Sequence, residues 1–430
     1  MKKKKILFVA MQMSQHTARW INQIADDDWE VHLFPVNYLP VHNDLKNVIV
    51  HQPLKTIKPR TMFKSLFTQF LSILRGTNAK SAPDQCITRS IYPFPILSRW
   101  VPYVYSIRRT KLGESSFTAP YFYGPTVLTR LIKKLQPDLI HSLEFQHCGY
   151  NVLKAKEQFK RGFPKWMATN WGSDIYYYKN FEDHRNQISR LLTEIDYYSC
   201  ECSRDLKLAK ELGLEAPVMS IMPNTGGFDI DKIKKIRAFH NPQERKIIMV
   251  KGYQHFAGRA LIALEAIERC SEELKGYHVV VFSASVEVEK RVDELKNFTG
   301  INVTVLPHCD HDTMLRMFSR AKIYLGVSVS DAISTSMLEA MAMGAFPIQT
   351  DTSCCCEWIK DGHTGFIIPV DDTEIIADRI KLALSDNELI LSAAEKNWQT
   401  VLNRLDQRVL SKKAKSFYKD LFADNEKYST

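Results

Sequence analysis

Two carboxylates eight residues apart, Asp331 and Glu339, flank a hydroxyl-rich turn in the C-terminal part of this chain. The turn, Ser334-Thr335-Ser336, opens a stretch of Ala, Met and Leu that favours a helix, whose first backbone N–H groups would lie near the acids. Such a turn suits a phosphate, and a glutamate one helical turn further in can accept two hydrogen bonds from a ribose diol. The segment therefore favours a nucleotide diphosphate-sugar site, with an ordinary amphipathic helix and its Ser/Thr cap as the alternative.

At 430 residues the chain exceeds the size that one hydrophobic core usually supports, so two domains of about 200 residues each are expected. Short apolar runs alternate with helical patterns, and the alternation restarts after a Pro-Asn-Thr-Gly-Gly turn at 223–227. Strands are predicted at 6–10, 30–34, 47–51, 138–141, 165–169, 196–199, 218–222, 247–250, 277–282, 303–306, 323–326 and 346–349. This βαβ order predicts an α/β fold with two tandem Rossmann-like domains and a linker near 223–245.

The composition, with 45% hydrophobic and 25% charged residues, is typical of a soluble globular protein. No apolar run reaches the roughly 18–20 residues that span a bilayer. Gln12, Ser14, Gln15 and His16 interrupt the apolar N-terminal run, which therefore predicts a buried strand rather than a signal peptide. The nine cysteines lack zinc-type or paired spacing and favour a reducing compartment. A cytoplasmic location is expected.

The net charge of +10 is concentrated in one region. Residues 55–134 hold fourteen Lys and Arg against two acidic residues and interrupt the first domain as a basic, aromatic insertion. Within it, apolar residues at 62–75 recur at helical spacing. A basic amphipathic helix suits an anionic membrane surface, so peripheral binding to the inner membrane face is expected, with a core helix bearing a solvated basic rim as the alternative. Nucleic acid is not expected, because no recognised binding motif accompanies the charge.

The spacing of Asp331 and Glu339, the Glu-Ala-Met-Ala-x-Gly that begins at Glu339, and the segment 357–366 resemble glycosyltransferase family 4, whose members are retaining enzymes of the GT-B fold. Trp171-Gly-Ser-Asp174-Ile in the N-terminal half is similar to that family too, as is Ile-Leu-Phe-Val followed by His-Thr-Ala-Arg-Trp-Ile near the N-terminus. The resemblance covers most of the chain apart from about 40–125.

The resemblance implies two Rossmann-like domains that face a cleft in which the reaction occurs. Residues 1–225 would form the acceptor-binding domain, and 226–410 the domain that binds the nucleotide-sugar. A last helix within 411–430 would pack back on the first domain.

On the donor side, the resemblance implies that Glu339 binds the ribose and that Asp331 contacts hydroxyls of the transferred sugar. The family usually has Glu where Asp331 stands, so this side chain is one methylene shorter. Lys251 and Arg259 follow the first strand of the second domain and are expected to stabilise the leaving diphosphate as catalytic cations. The other expected donor-binding residues are Ser334, Thr335, Ser336, Gly252 and His308.

On the acceptor side, the family commonly has a His at a strand end facing the cleft, where it contacts sugar or accepts a proton. His141 occupies such a position here and is an expected catalytic residue, with Leu143 as the alternative register. The Gly-Gly usual after the first strand is replaced by Met11-Gln-Met-Ser14, so close backbone approach to the donor phosphates is not expected. The other expected contacts with acceptor or sugar are His16, Glu144, Gly172, Ser173 and Asp174.

Neither a divalent metal nor another cofactor is expected. Asp229-Ile-Asp231 has the spacing with which other glycosyltransferases hold a divalent cation, but it precedes Lys-Ile-Lys-Lys-Ile and is better explained as a helix cap. His308-Cys309-Asp310-His311 is predicted to form a loop next to the donor base rather than a metal site.

The expected function is retaining transfer of a sugar from a nucleotide-diphosphate donor, with a UDP-sugar favoured, to a glycan or lipid-linked acceptor in surface polysaccharide biosynthesis. No well-placed nucleophile is evident, so front-face departure and attack is the expected mechanism. Two alternatives stay open: a nucleotide-sugar epimerase of the same fold, and a non-catalytic scaffold that binds a nucleotide or a glycan.

Overall fold

The computed structural model describes residues 3–25, 29–36, 39–53, 87–91, 125–219, 221–237, 241 and 244–427. For residues 52–53, 87–91 and 424–427 it describes the backbone only. The basic amphipathic stretch predicted at 62–75 lies outside the described residues, as does most of the predicted insertion.

Seven parallel strands form the sheet of the N-terminal domain, in the order β4-β3-β2-β1-β5-β6-β7. They are β1 (Lys5–Ala10), β2 (Glu30–Pro35), β3 (Ile49–Pro53), β4 (Ile87–Ile91), β5 (Leu139–Leu143), β6 (Lys165–Thr169) and β7 (Tyr197–Ser199). Every residue of β5 is buried, as a central strand covered on both faces requires. The strand order reverses between β1 and β5, so a crevice opens at their carboxyl ends.

Six parallel strands form the sheet of the C-terminal domain, in the order β10-β9-β8-β11-β12-β13. They are β8 (Ile247–Lys251), β9 (His278–Phe282), β10 (Val303–Leu306), β11 (Ala321–Gly326), β12 (Phe346–Thr350) and β13 (Phe366–Ile368). The corresponding reversal lies between β8 and β11, which places the loops after these strands at the second crevice.

Helices connect the strands and cover both sheets. They are α1 (Gln15–Asn22), α2 (Pro125–Leu135), α3 (Tyr150–Lys156), α4 (Glu182–Glu194), α5 (Ser203–Glu211), α6 (Ile230–Arg237), α7 (Ala260–Glu268), α8 (Val286–Thr299), α9 (His311–Arg320), α10 (Thr335–Met343), α11 (Thr373–Ser385), α12 (Asn387–Arg404) and α13 (Gln407–Lys427). Within the described ranges, no helix has both the length and the apolar character needed to cross a bilayer.

The last helix, α13, leaves the C-terminal domain and packs on the N-terminal one. Its buried residues recur at helical spacing and join the core that surrounds β1 and α1. These residues are Leu410, Ala414, Tyr418, Leu421 and Phe422. The N-terminal core is therefore built from both ends of the chain.

Eleven of the twelve predicted strands are present. The strand predicted at 218–222 is wrong, because the described residues of this segment make only an isolated bridge between Val218 and Tyr198. Strands β4 and β13 were not predicted, since β4 has three consecutive polar residues between its two isoleucines and β13 has only three residues. β4 and all but the last residue of α2 lie within 55–134, so these parts of the predicted insertion belong to the N-terminal sheet and its helical cover.

Candidate active site between the two domains

A cleft of about 1880 Å³ opens between the two domains. One wall is α1 of the N-terminal domain, and the other consists of the loops after β9 and β10 and the first turn of α10. All of these segments follow the carboxyl ends of parallel strands, where open α/β sheets bind their ligands. The cleft is therefore the candidate ligand site of this fold.

The helix α10 begins at the cleft with a side-chain cap. Ser334 Oγ accepts a hydrogen bond from Met337 N at 3.4 Å and pairs with the Tyr324 hydroxyl at 3.1 Å. Because Ser334 is buried, the predicted hydroxyl residues that line the cleft are Thr335 and Ser336. The helix N-terminus carries the positive end of the helix dipole and suits a phosphate.

Glu339 lies one turn into α10, and its carboxylate is contacted from both domains. Nε2 of His311, at the start of α9, lies 2.7 Å from Glu339 Oε1. Nη2 of Arg19, in α1, lies 3.7 Å from the same oxygen and 3.1 Å from His311 Nε2. The carboxylate is largely buried in the cleft wall, and neither Arg19 nor His311 was predicted as a contact.

Lys251 and Asp331 form an ion pair at the carboxyl ends of β8 and β11. Lys251 Nζ lies 3.6 Å from Asp331 Oδ2 and 4.9 Å from the centre of the Tyr253 ring. Burial lowers the pKa of Lys251, but Asp331, Tyr324 and Tyr253 raise it by more, so its pKa lies above the usual value. Lys251 is therefore cationic at neutral pH, as a residue that meets a diphosphate needs to be.

His16 lies between these two groups of charges. It lines the cleft, and its pKa responds to Arg19, Asp331, Glu339 and Lys251. Burial and Arg19 lower the pKa of His16 to about 4, against the opposing effect of the two carboxylates. Its Nδ1 is buried and has no hydrogen-bond partner among the residues that the structure describes. His16 is neutral at pH 7, and no described residue engages its Nδ1.

The loop after β6 meets the loop of Asp331 directly. A Cβ atom on Gly172 would lie 2.7 Å from Asp331 Oδ1 and 2.9 Å from Ala332 N, closer than packing allows. Ser330 Oγ donates to Ser173 Oγ at 3.0 Å in the same interface. The predicted sugar contacts Gly172 and Ser173 therefore lie beside Asp331, where the domains touch.

Two residues of the N-terminal domain near Asp331 were not predicted. Arg204 donates to the carbonyl oxygens of Asp331 at 2.8 Å and of Thr352 at 2.7 Å, and so holds the Asp331 loop from the opposite domain. Glu201 accepts a hydrogen bond from Asn224 N at 2.6 Å, and burial raises the pKa of Glu201 to about 8. Both follow the short strand β7, and only tertiary packing brings them to Asp331.

The prediction that His141 faces the cleft is wrong. His141 is fully buried in the N-terminal core, with Nδ1 2.6 Å from the Tyr418 hydroxyl and Nε2 2.7 Å from Thr169 Oγ1. Burial lowers its pKa to about 3, so the ring is neutral. Both ring nitrogens are engaged within the core, which makes His141 a structural residue.

Glu144 and Asp174 were predicted to contact the acceptor or sugar, and both predictions are wrong for the same reason. Their side chains are buried and accept hydrogen bonds from backbone N–H groups. Glu144 Oε2 accepts from His147 N at 2.7 Å and from Cys148 N at 3.0 Å, and so caps the turn that follows β5. Asp174 Oδ2 accepts from Phe145 N at 2.8 Å and from Trp171 N at 2.7 Å. Burial and the nearby Glu144 raise the pKa of Asp174. These acids shape the loops after β5 and β6.

Of the remaining predicted donor residues, His308 lines the cleft. Arg259 Nη1 instead donates to carbonyl oxygens of its own loop, including that of His255 at 2.8 Å. Gly252 does not line the cleft: its N–H donates to Phe282 O at 2.8 Å, and the surrounding backbone leaves no room for a side chain.

The two segments weighed as metal sites contain helix caps. Asp229 Oδ1 accepts hydrogen bonds from Asp231 N and Lys232 N, both at 3.1 Å, which confirms the predicted cap at the start of α6. Asp310 Oδ1 accepts from Thr313 N at 2.9 Å at the start of α9. Both carboxylates therefore cap helices, as predicted for Asp229 but not for Asp310.

A cluster with metal-ligand chemistry lies elsewhere in the domain interface. Cys202, Cys354 and Glu357 each place a ligand atom within 4.8 Å of the others. The two Sγ atoms are 2.9 Å apart, whereas two thiolates on one tetrahedral zinc lie roughly 3.7 Å apart, given Zn–S bonds of about 2.3 Å. Glu357 Oε1 already accepts from Ser203 N at 2.8 Å. The geometry fits a pair of thiols better than a zinc site.

Models of two protein families match the chain. Glycosyl transferases group 1 matches residues 231–399, and glycosyl transferase 4-like matches residues 98–201. Among curated proteins, the chain is 22% identical over 156 residues to the capsular polysaccharide biosynthesis glycosyltransferase CapM of Staphylococcus aureus, a match that covers 35% of this chain and 40% of CapM. It is 26% identical over 114 residues to N-acetyl-alpha-D-glucosaminyl L-malate synthase of Bacillus anthracis, a match that covers 26% of this chain and 30% of the synthase. The matched part thus spans less than half of either relative.

Solved structures share the whole two-domain arrangement. The sucrose-phosphate synthase of Thermosynechococcus elongatus has a TM-score of 0.67 at 14% identity and covers 98% of this chain and 100% of its own. Anabaena Alr3699/HepE in complex with UDP and glucose has a TM-score of 0.62 at 13% identity, and the match covers 97% of this chain and 100% of HepE. A variant of S. aureus TarM in complex with Fondaparinux, alpha-GlcNAc-glycerol and UDP has a TM-score of 0.61 at 11% identity, covering 95% and 98%. At such identities the likeness shows the fold.

The two family models match one segment in each half of the chain, residues 98–201 and 231–399, and the solved structures match its two facing sheets along nearly its full length. The chain belongs to the group 1 glycosyltransferases with the GT-B fold.

Proposed function

We propose that this protein is a retaining glycosyltransferase that moves a sugar from a UDP-sugar to a glycan or lipid-linked acceptor in surface polysaccharide biosynthesis. The observation that carries the proposal is that the α10 N-terminus and Glu339 line the interdomain cleft, while the ion pair of Lys251 and Asp331 lies close enough to act on His16 in the opposite wall. The names of similar proteins agree with it, since CapM belongs to capsular polysaccharide biosynthesis and the HepE and TarM structures contain UDP.

In this proposal the donor lies along the C-terminal wall of the cleft. Its ribose diol donates two hydrogen bonds to Glu339, and its diphosphate lies against the backbone N–H groups of Thr335 and Ser336. Asp331 accepts hydrogen bonds from hydroxyls of the sugar. Because Asp331 holds Lys251 cationic, Lys251 can neutralise the charge that develops on the departing diphosphate.

The chemical step proceeds on one face of the sugar. As the bond to the phosphate oxygen breaks, the acceptor hydroxyl attacks from the same side and passes its proton to that leaving oxygen, which retains the anomeric configuration. The acceptor enters from the N-terminal wall, where His16 and the Trp171 ring lie 5.7 Å apart. The proposal assigns charge neutralisation to Lys251 and the α10 N-terminus and expects full activity in EDTA.

The basic composition of residues 55–134 supports a peripheral position at the cytoplasmic face of a membrane. Such a position brings the cleft to a lipid-linked acceptor, whose lipid stays in the bilayer while its sugar is extended. Vesicles with and without anionic lipid test this part of the proposal, because the expected binding requires the anionic lipid and weakens with salt.

The first experiment is a thermal shift with millimolar UDP, GDP, ADP and their common sugars, on the wild type, Glu339→Ala and the control Glu395→Ala on the exposed face of α12. Ligand at 100 times its dissociation constant adds about 2.7 kcal/mol to the free energy of unfolding. We expect a shift with UDP and a UDP-sugar that Glu339→Ala loses and Glu395→Ala keeps. A folded wild type that shifts with none of these ligands, or an inverted product by NMR, would contradict the proposal.

A further inference from the structure

Arg19 extends from α1 of the N-terminal domain across the cleft to the C-terminal domain. Its Nη2 lies 3.1 Å from His311 Nε2 and 3.7 Å from Glu339 Oε1. Its side chain is only 19% exposed and lines the cleft together with Thr335 and Ser336. The guanidinium therefore lies inside the proposed donor site, although it belongs to the opposite domain.

The hydrogen-bonding capacity of Arg19 is not used up by these contacts. His311 Nε2 lies within hydrogen-bond distance of both Arg19 and Glu339, but one ring nitrogen cannot donate to the carboxylate and accept from the guanidinium at once. Each alternative has one ionised partner, but the contact of His311 Nε2 with Glu339 Oε1 is the shorter, at 2.7 Å against 3.1 Å. Donation to Glu339 leaves Arg19 with an ion pair at 3.7 Å. Arg19 Nη1 is buried without a hydrogen-bond partner in the described part of the chain. The guanidinium still needs an acceptor.

A second polar atom that lacks a partner lies on the same face of α1. His16 is three residues before Arg19, and residues at this spacing share a helix face. Its buried Nδ1 also has no partner among the described residues, and the neutral ring carries no charge that would repel the guanidinium. The helix α1 thus presents a cation and a neutral imidazole, both with unused polar atoms, to the cleft.

Four charged side chains near the proposed diphosphate position form two ion pairs. Lys251 faces Asp331 at 3.6 Å and Arg19 faces Glu339 at 3.7 Å, so the two cations and two carboxylates cancel. A nucleoside diphosphate brings at least two negative charges, and its phosphate oxygens are the bidentate acceptors that a guanidinium fits. The ligand therefore supplies the acceptors that Arg19 lacks.

We propose that Arg19 binds the diphosphate of the donor, so that the N-terminal domain supplies a second cation opposite Lys251. The inference rests on the proposed function and deepens it. Where Met11-Gln-Met-Ser14 replaces a Gly-Gly loop, the long side chain of Arg19 reaches the phosphates that the backbone does not. Because Arg19 and Glu339 come from different domains, this contact forms only when the domains face each other closely.

Calorimetric titration with UDP and with uridine separates the diphosphate from the rest of the nucleotide. The proteins are the wild type, Arg19→Gln, Arg19→Lys and the control Arg320→Gln, which changes an exposed arginine at the end of α9. We expect Arg19→Gln to weaken UDP binding roughly 10- to 100-fold, the range of a charge-assisted hydrogen bond, and uridine binding by less than about threefold. Arg19→Lys recovers part of the loss, and Arg320→Gln binds both ligands as the wild type does.

The outcomes distinguish this inference from the function on which it rests. Unchanged UDP binding in a folded Arg19→Gln, or an equal loss for UDP and uridine, would overturn the role of Arg19 while the donor site stands. A wild type that binds neither UDP nor, in parallel titrations, GDP or ADP overturns both. Melting temperatures of all four proteins show whether each variant folds. If Arg19→Gln does not fold, Arg19→Lys is the test, and we then expect it to bind UDP more weakly than the wild type and to bind uridine equally well.

Discussion

His141 Nδ1 and the Tyr418 hydroxyl lie 2.6 Å apart, although 277 residues separate them in the chain. The Tyr418 hydroxyl also accepts a hydrogen bond from Trp20 Nε1 at 3.1 Å, and His141 Nε2 pairs with Thr169 Oγ1 at 2.7 Å. This buried network joins β5, β6 and α1 to the last helix. Fully satisfied networks of this kind make a core rigid and costly to disturb.

His141→Ala should therefore destabilise the protein without a direct effect on donor binding. The change leaves a cavity and two buried hydroxyls that lose a partner, which costs about 2–4 kcal/mol. Urea unfolding measures the loss, and calorimetry with UDP measures binding. The exposed His363→Ala is the matched control. If His141→Ala kept the free energy of unfolding of the wild type but lost UDP binding, the assignment of His141 as a structural residue would be wrong.

Lys251→Ala should slow sugar transfer by roughly 10²–10³, as removal of one oxyanion-stabilising donor does in other enzymes. The rate constant should fall more than the affinity for UDP, because the charge on the diphosphate grows as the sugar departs. Release of UDP from the donor in the presence of acceptor measures this rate, with the exposed Lys360→Ala as the control. A normal rate for Lys251→Ala would refute its assignment.

Gly172→Ala should reduce the transfer rate through the domain interface. Its Cβ would meet Asp331 Oδ1 at 2.7 Å and the backbone N of Ala332 at 2.9 Å, so the loop of Asp331 must shift. A displacement near 1 Å at a reacting group costs up to about 10²-fold in rate. Ser173→Ala, which adds no atom, should retain most activity. Equal rates for Gly172→Ala and the wild type would show that the contact opens before the chemical step.

Glu201→Gln should reduce the pH dependence of stability. Burial raises the pKa of Glu201 from 4.5 to about 8, so the native state holds a proton that the unfolded state releases between these values. This contribution to stability is complete below pH 4.5 and is lost as the pH rises through about 8. Urea unfolding at pH 6 and 9 should show the wild type losing about 2–3 kcal/mol relative to Glu201→Gln. The glutamine side chain can still accept a hydrogen bond from Asn224 N. An equal change in the free energy of unfolding between pH 6 and 9 for both proteins would argue against a protonated Glu201.

Cys202 and Cys354 should form a disulfide between the domains when the native protein is treated with diamide. Their Sγ atoms are 2.9 Å apart, and the oxidant takes up the two hydrogens that the thiols lose. The contact with Cys354 and burial raise the pKa of the Cys202 thiol, so the reaction should be slow. Peptide mapping under non-reducing conditions detects the link. Cys202→Ser should abolish it and the buried Cys270→Ser should not; a native protein that never cross-links would contradict this interface.

The parts of the fold that the sequence predicted are those that local chemistry determines. Strands such as β6 and β10 are short, mainly apolar runs between turns, and both have the predicted limits. The cap at Asp229 was likewise predicted from its neighbours alone. Glu339 and Asp331 share one turn-and-helix segment, so their placement at the interdomain region needed no long-range information.

The remainder of the site depends on packing that no local pattern contains. Arg19, His311 and Arg204 reach Glu339 and Asp331 from three separate elements, and only the assembled domains bring them together. His141 was misplaced because the strand was predicted to end at this residue, whereas β5 continues to Leu143 and His141 lies at its centre, under a helix. The helix that covers it begins 266 residues later, at Gln407.

The docking of α13 on the N-terminal core determines the order in which the domains can mature during translation. The first sheet leaves the ribosome early, but Trp20 and His141 receive Tyr418 only after the entire second domain has been made. The core of the second domain uses residues as far as Leu405, so the domain synthesised second can close its core before α13, which begins at Gln407, completes the core of the first. A nascent chain that stops before Gln407 keeps an apolar surface around Trp20 open, which is the kind of surface that chaperones bind.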